Sequence, residues 1–84
     1  MTKIEIMKEI ESLRKWLYNN VTSREYNEVM RKHDEHLKAC GHKRLYLPKS
    51  AKKAEYESYL ECYINACYDV LKSERMTDYL YSEV

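Results

Sequence analysis

Between Ser50 and Ser73 the chain contains neither glycine nor proline, and its apolar residues recur at helical spacing. At about 100° per residue, Ala66, Tyr59, Val70, Tyr63, Tyr56, Cys67, Leu60, Leu71 and Ile64 fall in one arc of roughly 160°. The opposite side carries Glu55, Glu57, Ser58, Glu61, Asn65, Asp69 and Lys72. A stripe that wide is covered only by partners on two sides. The stretch therefore predicts the central helix of a small bundle.

The preceding residues supply those partners. Thr2 with Glu5 forms a capping box ahead of Ile6, Ile10, Leu13 and Leu17, spaced by fours and threes, with Met7 and Trp16 at the shoulders. Asn19-Asn20 is the expected stop, because asparagine tolerates a left-handed cap. A second box, Thr22 with Glu25, opens a stripe of Tyr26, Met30, His33, Leu37 and Cys40, flanked by Val29 and His36, with Gly41 just beyond its end. Pro48 breaks the connection 41–50, where Leu45, Tyr46 and Leu47 are expected to cover one end of the bundle. Ser50 is the expected cap of the third helix. Thr77 is the expected cap of a last turn that docks Tyr79 and Leu80. The reading is all-α: a three-helix bundle over about 3–18, 23–40 and 50–73, with a short C-terminal helical turn, as one domain spanning 1–84.

Composition agrees. One glycine, one proline and no phenylalanine accompany nine tyrosines in 84 residues, which favours helix and leaves a small core. No segment approaches the roughly 18 apolar residues of a membrane span. Glu5 and Glu9 interrupt the run a signal peptide needs. Cys62 and Cys67 point about 140° apart on a helix and should not bridge. With Cys40 they make an odd count, so the expectation is reduced thiols in a cytoplasmic protein.

Net charge is +1, but it is unevenly spread. Residues 1–36 are balanced, residues 37–54 carry six basic side chains and no acid, and residues 55–84 carry seven acids against Lys72 and Arg75. The basic segment places Lys43, Arg44, Tyr46, Lys49, Lys52 and Lys53 around a helix N-terminus, an arrangement suited to an anionic partner. The acidic face of the third helix presents Glu57, Glu61, Tyr68 and Asp69, with Cys62 also expected to point outward; exposed tyrosine among acids suits a protein partner. A third cluster, His33, His36, Cys40 and His42, has zinc-ligand chemistry but none of the common structural-zinc spacings. The plainer expectation puts His33 and Cys40 in the core, His36 at its margin and His42 in a loop.

Enzyme signatures are weak. A single glycine excludes a glycine-rich phosphate loop, no G-x-S-x-G is present, and neither His33 nor His36 follows a Glu by three residues. Cys40 near His36 or His42 is the one local nucleophile–base pair. The expectation is a non-enzymatic protein without a cofactor that binds another protein, as an inhibitor, adaptor or small regulator. Such short proteins are common in phage and mobile elements. The alternatives are a nucleic-acid-binding module using residues 43–53, a zinc-stabilised mini-domain, and a homodimer pairing the basic segment with the acidic face.

Overall fold

In a computed structural model, described for residues 1–42 and 47–81, the chain forms α1 (Lys3–Asn20), α2 (Ser23–Ala39), α3 (Lys53–Val70) and α4 (Ser73–Tyr81), with no strand among the described residues. Both capping boxes form. The Glu5 amide donates to Thr2 Oγ1 at 3.2 Å while the Thr2 amide donates to Glu5 Oε1 at 3.0 Å. Thr22 and Glu25 repeat the exchange at 3.1 and 3.0 Å. Each pair satisfies two amides that a helix start otherwise leaves open. α1 runs through both asparagines. Asn20 Nδ2 donates back to the Trp16 carbonyl at 2.9 Å, and Val21 turns the chain in an extended conformation, so no left-handed residue is needed there. α2 stops as its glycine predicts. Gly41 takes φ +85°, its amide donates to Lys38 O at 3.0 Å, and the His42 amide donates to Leu37 O at 2.9 Å.

The start of α3 corrects the sequence reading. Ser50 does not cap it. Pro48 O accepts from the Ala51 amide at 3.0 Å and from the Tyr56 hydroxyl at 2.8 Å, so residues 48–51 are used up in a turn that buries Ala51. The N-cap position falls to Lys52, whose side chain makes no capping bond. At the other end, Leu71 is extended and the chain restarts at Ser73. The last turn is thus a nine-residue helix. Thr77 lies inside it and donates its hydroxyl to Ser73 O at 2.9 Å instead of capping.

The core combines Ile6, Ile10, Leu13 and Leu17 with Val29, His33 and Leu37, and with the α3 stripe. Two residues change places. Val29 is central rather than flanking, and Cys40, just past the last helical residue of α2, is exposed rather than core. Cys62, expected outside, is buried because α2 packs against that side of α3. Tyrosines do the work phenylalanine would do elsewhere, so their hydroxyls are given partners. Tyr59 OH accepts from Arg14 Nη2 at 3.3 Å, and Tyr63 OH donates to Met30 Sδ at 3.6 Å. α4 docks on α1 and α2: Arg75 binds Glu25 and the Asn20 carbonyl, while Tyr79 meets Trp16 edge-on and donates to Glu9. Leu80, expected to dock with Tyr79, is exposed. Among the described residues, no helix is long and apolar enough to cross a membrane.

Candidate functional site

The outer face of α3 divides in two. On the side next to α1, Glu57, Glu61, Ile64 and Asn65 join Leu60, Ile6 and Met1 around a groove of about 310 Å³. Ile6 and Leu60 are buried and form its floor, Ile64 is half-buried, and Met1 stands exposed at its lip. Tyr68 follows Ile64 by four residues, so it continues the row one turn further along, with 44% of its surface exposed. On the side next to α2, Asp69 meets His36 Nε2 at 2.6 Å. Glu57, Glu61 and Tyr68 therefore share the groove side, while Asp69 is committed to a helix–helix contact. Lys53 Nζ lies 3.5 Å from Glu57 Oε1 at the near end.

Met1, Ile6 and Leu60 escaped the sequence reading as site residues. Ile6 and Leu60 sit centrally in core stripes, and only the meeting of α1 with α3 shows that their outer edges line a groove. The one available signal was Ile64, at the margin of the apolar arc and adjacent on the wheel to Glu57 and Glu61.

Of the basic segment, Lys43, Arg44 and Tyr46, with Leu45, lie outside the described residues. Lys49, Lys52 and Lys53 are exposed around the start of α3, and Lys3 joins them from α1. Lys3 Nζ donates to Lys49 O at 2.6 Å and lies 5.4 Å from the centre of the Tyr56 ring.

The His/Cys cluster is strung along the seam between α2 and α3, each member facing a different group. His33 Nε2 donates to Tyr59 O at 3.2 Å, and Cys40 Sγ lies 3.7 Å from Cys62 Sγ. His36 reaches Asp69, and His42 Nε2 is 3.0 Å from Ser58 Oγ. Among the described residues, no three His, Cys, Asp or Glu side chains are grouped to hold a metal. His33 is fully buried, stacked on Tyr63 at 4.3 Å and edge-on to Tyr59 at 4.5 Å. Burial lowers its pKa to about 4. Because a carbonyl only accepts, Nε2 carries the proton, and Nδ1 has no partner among the described residues. Comparison with protein-family models, curated proteins and solved structures finds no match.

Proposed function

We propose that this is a non-enzymatic binding protein whose groove between α1 and α3 receives an apolar segment of another protein flanked by lysine or arginine. The observation that carries the reading is the pairing of an apolar floor with an acidic rim: Ile6, Leu60 and Ile64 below, Glu57 and Glu61 beside them. A groove of about 310 Å³ matches the lower end of known binding pockets and takes one or two large side chains. Exposed Met1 and Tyr68 extend the contact surface, one adaptable and one a rigid aromatic. Opposite charge at the rim orients such a segment and speeds encounter. The reading suits an inhibitor, adaptor or regulator acting in the cytoplasm.

The experiment is site-specific photo-crosslinking in native-host cells. A benzophenone side chain at position 61 is expected to capture a protein through a segment containing both apolar and basic residues. The same group at Lys15, exposed on α1, is expected to capture nothing comparable. Capture from position 15 alone, or of a segment lacking basic residues, would contradict the reading.

One observation favours a second reading. α3 begins without a side-chain cap amid Lys3, Lys49, Lys52 and Lys53, which suits a phosphate backbone. On that reading a fluorescent oligonucleotide binds at about 50 mM salt, weakens steeply as salt rises, and is lost in Lys49→Glu/Lys53→Glu. No binding at low salt would remove it.

A further inference from the structure

The seam between α2 and α3 holds a pair of thiols that the binding reading does not use. Cys40 is exposed at the C-cap of α2, and Cys62 is buried in the middle of α3, with their sulfurs 3.7 Å apart. Closing that gap to a bond of about 2.05 Å requires roughly 1.7 Å of approach. Cys40 lies past the last helical residue of α2 and is exposed, so its side chain is not held in the core as that of Cys62 is. No other pair of cysteines is so placed: Cys67 is fully buried on a different side of α3.

We propose that Cys40 and Cys62 form an oxidation site that a hydroperoxide closes to a disulfide. The exposure difference sets the order of events. The Cys40 thiolate attacks the peroxide, the O–O bond breaks, and Cys40 becomes a sulfenic acid as hydroxide leaves and is protonated to water. The Cys62 sulfur then attacks Cys40 Sγ, the S–O bond breaks, and the hydroxyl leaves as water with the Cys62 proton. Two thiols and one hydrogen peroxide give one disulfide and two waters. Burial raises the Cys62 thiol to about 11, which keeps it protonated and leaves Cys40 to meet the oxidant. Ser58 contacts Cys62 and hydrogen bonds with His42 Nε2 at 3.0 Å, a relay by which the Cys62 proton can pass to the departing hydroxyl. The closed bridge encloses the whole connection 41–52, and with it the lysines ahead of α3, in one covalent loop.

The test treats the reduced full-length chain with hydrogen peroxide and maps it under non-reducing conditions. The expected product is a monomer lacking two hydrogens, in which one cross-linked species joins the Cys40 and Cys62 peptides and Cys67 remains alkylatable after denaturation. Cys67→Ser is expected to close to the same extent. Cys62→Ser is expected to stop at a Cys40 sulfenic acid that dimedone traps, and Cys40→Ser, at an exposed position, to leave Cys62 as a free thiol. A Cys40 sulfinic acid beside an alkylatable Cys62 in the unmutated chain would overturn the proposal. So would a dimer linked through Cys40.

Discussion

His33 occupies a fully buried place where its imidazole must stay neutral, and that gives the fold a pH dependence of known sign. Its ring binds a proton near pH 6.5 when the chain is unfolded and only near pH 4 when folded, because burial penalises the charged form. Between those values the unfolded state holds more protons. The contribution is therefore complete above pH 6.5 and lost as pH falls through about 4. Urea unfolding at pH 7 and pH 4 should differ by up to about 3 kcal/mol from this group. Glu25, whose carboxyl the Thr22 amide and the Arg75 guanidinium hold below its usual range, adds a loss of the same sign at lower pH. His33→Leu isolates the histidine: the slope between pH 6.5 and 4 should flatten, and an unchanged slope would assign it elsewhere. At this scale the sequence was legible where a residue sits centrally in a stripe, as His33 does. It was not legible for Cys62, which lies about 40° beyond the edge of the apolar arc and is buried only because α2 packs there.

Element boundaries followed local chemistry wherever the signal was complete within four residues. The capping boxes at Thr2–Glu5 and Thr22–Glu25 and the glycine stop at Gly41 are such signals, and all three appear in the structure. The start of α3 depends instead on a contact eight residues away, Tyr56 to Pro48, and no local pattern announces it. That misplaced start leads to a prediction. Lys52→Asp supplies the missing cap and suits the helix dipole, so it should stabilise the protein by about 1 kcal/mol in chemical denaturation, whereas Ser50→Ala should change little. Gly41→Ala should destabilise by about 1 kcal/mol, since alanine resists a φ of +85° although no described residue obstructs its methyl group. α4 is longer than the turn its sequence suggests for a similar reason. Its nine residues are too short to be helical alone, and their order comes from Arg75 and Tyr79 docking on α1 and α2.

Across the whole molecule, α3 is the element against which the others pack. Leu60→Ala should cost about 2–5 kcal/mol, as large-to-small core changes do, and Tyr68→Ala far less, because Tyr68 stands partly exposed on the groove side. The candidate site was half legible. Glu57, Glu61 and Tyr68 could be read from the outer face of one helix, but the apolar floor is shared between α1 and α3 and exists only once they meet. Asp69 could not be separated from its neighbours on the wheel, because its commitment to His36 is a contact across 33 residues of sequence. The groove itself is most directly tested by titrating the isotope-labelled protein with a synthetic amphipathic helix of leucine and lysine and following its backbone amides. The expected shifts cluster at residues 1–6 and 57–68. They should disappear with a leucine–glutamate peptide and in Glu57→Lys/Glu61→Lys, both exposed positions. Shifts centred elsewhere, or shifts that survive the charge reversal, would contradict a groove that recognises basic, apolar segments.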